Sequence, residues 1–458
     1  MATSTYLQNS HTGTGSSTGE KATMSLWVKR TDPSGDTRST IIGARTDDNN
    51  YFKIRFADND RLMVYGAKAG STNVDIQTNA EFRDVSGWYH IVLQIDTTHA
   101  TDTERVKWYV NGELQTIYST GKVYPSQNDV NHLTSASDIN IGCNAVGSPN
   151  EHFDGTMSHF HMIDGTIYPP TAFGSTDSTT GEWKITTAPS VTYGAKGYFI
   201  LKDGNSVTDQ SGNSNNFTVG GGTLTKTEDC PSNVFATFNP LGRNRDVTFS
   251  NGNCTATYGT SGTRDIVIGT LGANSGKYYW EIEIQGNANA NNGVLGVSMD
   301  DWETGYAVAG ETNQSWGFKG YDGAVQNNNS SVGGTWATFT NGDKIGVAIN
   351  LDDEQGGLNK LYFSKNGTWL NGSDPSNFTS VVGVVGITKP ENGNTGFYFP
   401  VVSDAGSNAT PQFKANFGNG YFGTTAVSSA GTNASGIGIF EYDVPTGFTA
   451  LSTKGLNL

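Results

Sequence analysis

Apolar and polar positions alternate in short runs along most of the chain. The first clear run spans 22–30, where Met24, Leu26 and Val28 alternate with Thr23, Ser25 and Trp27. A period of two places the first set on one face of a strand and the second set on the other. Similar runs follow over 40–44, 51–57, 61–65, 88–95, 106–110, 139–142 and 155–163. Val110-Asn111-Gly112-Glu113 predicts a tight hairpin, because Asn-Gly supplies both positive-φ positions of a type I′ turn. The pattern restarts near residue 246. Strands are predicted there over 265–268, 277–284, 293–298, 315–318, 343–351, 360–365 and 396–401, with 413–417 closing the set. Lys365-Asn366-Gly367-Thr368 repeats the hairpin signal. No segment carries a 3.6-residue apolar stripe, and only 170–173 hints at a helical turn.

These elements predict an all-β chain of two tandem sandwiches. The first occupies 1–170, its polar residues 1–22 forming an extended opening strand or an anchor, and the second occupies 246–425. Between them 171–245 reads as a β-rich connector with short strands, of which 197–201 is the clearest. Residues 426–458, rich in Gly, Ser and Ala before a more apolar end, read as a docking tail.

Composition supports this division. The 458 residues exceed the roughly 250–300 that a single core serves. With 59 Gly and only 16 % charged residues the chain is poor in helix formers, while 22 Phe, 19 Tyr and 9 Trp supply ample core area. A net charge of −15 argues against a nucleic-acid partner, which needs clustered Lys and Arg, and against anionic membrane surfaces. No run approaches the roughly 20 apolar residues of a membrane-spanning helix, so membrane insertion is not expected. The opening Met1-Ala2-Thr3-Ser4-Thr5-Tyr6-Leu7 has neither a basic n-region nor an apolar h-region, so no standard secretion signal is expected. Cys143, Cys230 and Cys254 are odd in number and form no CxxC pair, which reads as buried free thiols.

Several separate strands carry family likenesses. Met24-Ser25-Leu26-Trp27-Val28, Gly87-Trp88-Tyr89-His90-Ile91-Val92, Trp108-Tyr109-Val110-Asn111-Gly112-Glu113 and Phe153-Asp154-Gly155-Thr156-Met157-Ser158 resemble, in order and spacing, the laminin-G-like, concanavalin A-type jelly roll. Gly276-Lys277-Tyr278-Tyr279-Trp280-Glu281-Ile282-Glu283-Ile284, Gly296-Val297-Ser298, Gly342-Asp343-Lys344-Ile345-Gly346-Val347-Ala348, Leu361-Tyr362-Phe363-Ser364-Lys365-Asn366-Gly367 and Asn416-Phe417-Gly418 resemble the SPRY domain. Asp209 to Phe217 resembles the opening strand of a laminin-G-like domain, although it follows the first unit; it completes that sandwich or starts a truncated copy. The tandem, with Phe235-Ala236-Thr237-Phe238-Asn239-Pro240-Leu241 and the stretch from Asp443 to Leu451, is similar to structural proteins of tailed, often marine, bacteriophages. This likeness implies a virion-surface protein: a head fibre, capsid decoration or tail fibre component. Such a protein is made in the host cytoplasm and released by lysis. Its implied partners are other virion proteins and host-surface glycans or proteins, with homo-oligomerisation left open. Its implied activity is binding, not catalysis; a purely structural decoration and a polysaccharide depolymerase are the alternatives.

Glycan recognition needs aromatic faces for sugar CH surfaces and polar side chains for hydroxyls. In the second unit the loop candidates are Trp302, Tyr306, Tyr321 and Trp336, with Asp300, Asp301, Asn313 and Asn327 nearby, while Trp316 reads as core. The laminin-G likeness implies calcium at a loop rim, for which Asp47 and Asp48 are the candidates. Glu281 and Glu283 share a strand face as a retaining glycosidase pair would, but the SPRY likeness reads them as a solvated face opposite Trp280, Ile282 and Ile284. His159 and His161, with His152 near, could present imidazoles to a metal, and a partly exposed strand face is the plainer reading.

Overall fold

The computed structural model describes residues 5–10, 18–33, 38–135, 138–202, 207–242, 246–259, 264–286, 293–300, 308–352, 359–406 and 410–458. The chain divides into two compact units, Met1–Lys226 and Thr227–Leu458. Both are β-structures, as the period-two pattern predicts.

The first unit contains β1 (Tyr6–Ser10), β2 (Lys21–Arg30), β3 (Ser39–Asp47), β4 (Asn50–Phe56), β5 (Arg61–Lys68), β6 (Ser71–Glu81), β7 (Tyr89–Asp96) and β8 (Val106–Val110). It continues with β9 (Glu113–Leu114), β10 (Asp138–Ile141), β11 (Gly155–Asp164), β12 (Gly174–Thr176), β13 (Trp183–Ile185), β14 (Tyr198–Ile200) and β15 (Thr218–Gly221). A seven-stranded sheet runs β15-β1-β10-β3-β4-β5-β6, and a six-stranded sheet runs β14-β11-β2-β7-β8-β9. Met24, Leu26 and Val28 point between the sheets with Ile54, Val64, Ile91, Leu93, Trp108, Phe160 and Met162. The stretch read as a connector is largely part of this unit, since β14 pairs with β11 and β15 pairs with β1. Thr23, Ser25 and Trp27 are buried as well. Residues 165–197 cross back over the outer face of the six-stranded sheet and bury Val92, Ile163 and Phe173 in a small second core.

The Asn111-Gly112 turn forms as predicted, with φ of 50° and 84°. Its glycine has a second role: a Cβ on Gly112 would stand 2.6 Å from the Trp183 ring. Gly112→Ala is therefore expected to destabilise the first unit by roughly 2–4 kcal/mol, from left-handed backbone strain plus displacement of the indole. Denaturant unfolding with tryptophan fluorescence would check this, and a loss below about 1 kcal/mol would refute the close packing.

In the second unit the labels continue with β16 (Val247–Ser250), β17 (Thr255–Tyr258), β18 (Asp265–Ile268), β19 (Lys277–Gly286), β20 (Gly293–Ser298), β21 (Ser315–Lys319) and β22 (Ala324–Asn327). Then come β23 (Ser330–Thr335), β24 (Lys344–Asn350), β25 (Asn359–Lys365), β26 (Thr368–Trp369), β27 (Val385–Ile387), β28 (Phe399–Asp404) and β29 (Pro411–Asn416). One sheet runs β16-β17-β29-β19-β24-β25-β26, and the facing sheet runs β18-β28-β20-β21-β22-β23. Tyr278, Trp280, Ile282 and Ile284 of β19 enter the core between them.

The C-terminal segment read as a docking tail is folded onto its own unit. Phe440, Val444, Phe448 and Ala450 pack with Phe235, Tyr279, Ala348 and Tyr362 on the outer face of the larger sheet. Thr449 and Ala450 pair in parallel with Tyr278 and Tyr279. Their apolar side chains find a matching apolar strip on β19, β24 and β25, which makes the intramolecular site the favourable place for them.

Candidate functional site

The loop residues expected to meet a ligand in the second unit have different fates. Trp336 is 4 % exposed and packs 6.1 Å from Phe318 and 5.9 Å from Phe363. Its indole N–H donates to the Gly333 carbonyl, so the ring serves the core and its faces are not open to a sugar. The Asn327 amide donates to the carbonyls of Ser315 at 2.8 Å and Thr312 at 3.3 Å, which ties the loop together. Tyr321 is 44 % exposed, with the Lys319 ammonium 5.1 Å from its ring centroid. Asn313 is exposed, and Asp300 accepts from Asn394 at 3.5 Å. Asp301, Trp302 and Tyr306 lie outside the described residues.

The calcium candidates are engaged by local donors. Asp47 accepts from the Asn49 backbone N–H at 2.8 Å and from the Asn50 amide, and these bonds hold its carboxyl below the usual range. Asp48 pairs with Arg45 at 2.9 Å. Among the described residues no group of three or more His, Cys, Asp or Glu is placed to hold a metal ion.

Glu281 corrects the reading of β19 as a solvated face: it is fully buried beneath the C-terminal segment. It accepts from the backbone N–H groups of Glu441 and Tyr442 at 2.9 Å, from Tyr279 Oη at 3.0 Å and from the Asn416 amide at 3.2 Å. Burial outweighs these donors and pushes its carboxyl up to about 7. Glu283 instead pairs with Lys414 at 3.2 Å. The two carboxylates therefore do not share an open cleft.

Ser25 Oγ lies 2.9 Å from His90 Nε2, a spacing that suggests a nucleophile and its base. The other ring nitrogen decides otherwise. Trp183 Nε1, which can only donate, points at His90 Nδ1 at 2.9 Å. The neutral ring must then carry its proton on Nε2 and donate it to Ser25, so it cannot accept the serine proton. His161 bonds Tyr193 Oη through Nδ1 at 2.8 Å and stacks on Phe199 with centroids 3.9 Å apart. A register shift in β11 falls between Ser158 and His161, and His159 takes a positive φ of 49° there. His159 bonds Ser158 through Nδ1, and His152 tilts against Tyr6.

The outer face of the seven-stranded sheet is different in character. Tyr51, Lys53 and Arg55 alternate on β4 with the core residues Phe52, Ile54 and Phe56. Across the ladder Tyr51 lies near Tyr65 of β5, which stands opposite Asp75 of β6. The Tyr51 and Tyr65 rings, both partly exposed, have centroids 6.1 Å apart and are inclined at 36°. The Lys53 ammonium sits between them, 5.7 and 5.8 Å from the two centroids. Glu151 accepts from Arg55 at 3.1 Å and from Thr40 at 3.1 Å, with Lys53 at 3.5 Å and Arg38 at 3.8 Å. Burial opposes the Glu151 charge, yet Lys53 and Arg55 hold its carboxyl below the usual range. Burial also draws Lys53 down and pushes Asp75 up. Arg55 Nε is buried without an acceptor among the described residues, although the Nη atoms reach Glu151 and Met63 Sδ.

This face combines two aromatic surfaces with recessed donors and acceptors. An aromatic pair beside polar groups is the kind of surface that a sugar ring and its hydroxyls require. Sequence reasoning missed it, although Tyr-x-Lys-x-Arg over 51–55 is a period-two signal of one polar-aromatic strand face.

Comparison with known proteins agrees with this architecture. Residues 2–171 match a laminin-G-type family described as the concanavalin A-like lectin/glucanases superfamily, and residues 277–410 match the SPRY domain. Each match covers one part of the chain, the first within the first unit and the second within the second. Among solved structures, the second kind is represented by the SPRY domain of human HERC1, at 21 % identity over 39 % of this chain and 96 % of that one, with a TM-score of 0.30. A heptameric SAP-like pentraxin from Limulus polyphemus is similar at 16 % identity over 36 % of this chain and 71 % of its own, TM-score 0.25. The CBM40 of a Ruminococcus gnavus IT-sialidase, solved with alpha2,3 sialyllactose, is similar at 15 % identity over 32 % and 84 %, TM-score 0.24.

Proposed function

We propose that this chain is a recognition protein of a tailed-phage virion surface, a head fibre, decoration or tail fibre component, that binds host-surface glycan or protein without catalysis. The ligand-binding part is carried by one observation: the Tyr51–Tyr65 pair around Lys53, backed by Arg55 and Glu151, on the outer face of a sheet. The lectin-like and SPRY domain types support a binding role. The virion location rests on the likeness of the tandem and of its flanking motifs to phage structural proteins. Each contact would be weak, and many copies per particle would supply avidity. The burial of Glu281 and the tautomer of His90 support binding over hydrolysis.

Purified protein should bind host-envelope polysaccharide. Tyr51→Ala and Tyr65→Ala should each weaken binding by about 5- to 30-fold, the worth of one aromatic contact of 1–2 kcal/mol. Their melting temperatures should stay close to that of the parent, since neither ring belongs to the core. Binding that neither variant changes would remove the ligand from this face. Immunogold labelling of intact particles would test the virion part: label on head or tail supports it, and unlabelled particles overturn it.

A further inference from the structure

We propose that residues 165–197 form an acid-released cover on the outer face of the first unit's six-stranded sheet, with His90 and His161 as its two proton-sensitive anchors. The cover touches the sheet through both imidazoles. Trp183 of the cover donates its indole N–H to His90 Nδ1 at 2.9 Å and stacks on that ring with centroids 5.8 Å apart. Tyr193 of the cover bonds His161 Nδ1 at 2.8 Å and stacks on it at 6.0 Å. Both histidines are buried in the closed arrangement, at 0 % and 2 % exposure.

The hydrogen-bond geometry makes protonation incompatible with closure at His90. Its Nε2 donates to Ser25, so the second proton of an imidazolium would have to sit on Nδ1, where the Trp183 N–H already points. Two donors would then face each other in a buried site. An imidazolium at His161 keeps a possible bond to Tyr193, but it would be enclosed by Phe173, Tyr193 and Phe199. Charged neighbours give no relief. The groups that act on His161 are His159, His90 and Lys202, all basic, and all disfavour a further positive charge. Of the acidic groups beside the cover, Asp209 is turned to the Phe199 N–H and to Ser211, and Asp164, on the same strand as His161, accepts from the Lys196 N–H at 3.1 Å. Around His90 lie Ser25, Trp27 and Trp183, with Lys29 further along the β2 face. On the cover's own hairpin, Asp177 and Lys184 are paired with each other at 2.8 Å. Among the described residues neither imidazole is bonded to a carboxylate.

The sign follows from linkage. Burial lowers both histidines, His90 to about 3, so below about pH 6.5 an opened cover takes up protons that the closed one cannot. The opening constant should therefore rise by close to 10-fold per pH unit per histidine between about pH 6.5 and the lowered value. From pH 7.5 to 5.0 this amounts to about 30-fold for one histidine and roughly 1,000-fold for two. Opening would bare Trp27, Val92, Ile163 and Phe199, buried in the closed arrangement, together with the partly buried Tyr109.

Hydrogen exchange of the full chain at pH 7.5 and 5.0, corrected for intrinsic rates, tests this. Peptides from 165–197 should gain roughly 1,000-fold in opening while β2 and β7 stay protected, and His161→Phe should reduce the gain to about 30-fold. Equal acceleration of the cover and the strands would mean global acid unfolding and would overturn the proposal, as would a cover insensitive to pH. If His161→Phe does not fold, the parent protein still decides by the contrast between cover and strands.

Discussion

Arg30→Met is expected to destabilise the first unit by about 3–5 kcal/mol, because it strands a buried carboxylate. Arg30 and Asp60 are 2 % and 1 % exposed, and their charged atoms meet at 2.9 Å. The guanidinium also donates to the carbonyls of Phe82 and Asp32, and it lies 4.3 Å over the Phe56 ring. Methionine can replace the stem but neither the charge nor the donors. Among the described residues Asp60 would keep Arg83 as its one ion-pair partner, whose side chain is 57 % exposed and screened by water. The attribution has a direct check. Arg30→Met with Asp60→Asn should recover a large share of the loss, since asparagine tolerates the positive φ of 61° at position 60 and carries no charge. Urea unfolding of the three proteins would decide. A double variant no better than Arg30→Met would mean that packing, not the stranded charge, dominates.

Glu281→Ala is expected to cost the second unit about 3–5 kcal/mol, since it leaves buried donors from Tyr279, Asn416, Glu441 and Tyr442 without their acceptor. Proteolysis should then begin in the C-terminal segment, whose hold on the sheet includes two of those backbone bonds. The native carboxyl adds a pH signature. Its value is raised to about 7 from 4.5, so between these pH values the folded protein binds more protons than the unfolded one. Stability from this group is complete below about pH 4.5 and is lost as pH rises to 7, by roughly 3 kcal/mol. Glu281→Gln should abolish that slope. A parent protein whose second unit is equally stable at pH 5 and pH 8 would show that the four donors fully offset the burial.

The two pH effects run in opposite directions and lie on different units. Buried histidines weaken the first unit on acidification, while the buried glutamate weakens the second on alkalinisation. Calorimetry across pH should therefore change the order or spacing of two transitions, provided the units unfold separately.

Local pattern was enough for much of the fold. Period two in β2 and β19 identifies Met24, Leu26 and Val28, and Trp280, Ile282 and Ile284, as core faces. Asn111-Gly112 and Asn366-Gly367 announce their turns because positive φ is a property of those residues themselves. The opposite faces were not legible in the same way. Alternation tells which side chains share a face, not whether another segment will cover it. Glu281 looked solvated because the residues that enclose it, Glu441 and Tyr442, lie 160 and 161 positions away. Trp336 looked like a loop aromatic because its polar, glycine-rich surroundings hid its contacts with Phe318 and Phe363.

The sequence by itself determined the all-β class, the two sandwich units, the core face of each principal strand and the hairpin turns, since all of these depend on intrinsic φ preference and short-range periodicity. Only the tertiary structure decided which outer faces are covered, which carboxylates are buried, and that Tyr51, Lys53 and Tyr65 converge from adjacent strands. Those outcomes depend on contacts between distant segments, whose energies arise from burial and hydrogen bonding after the chain has closed on itself.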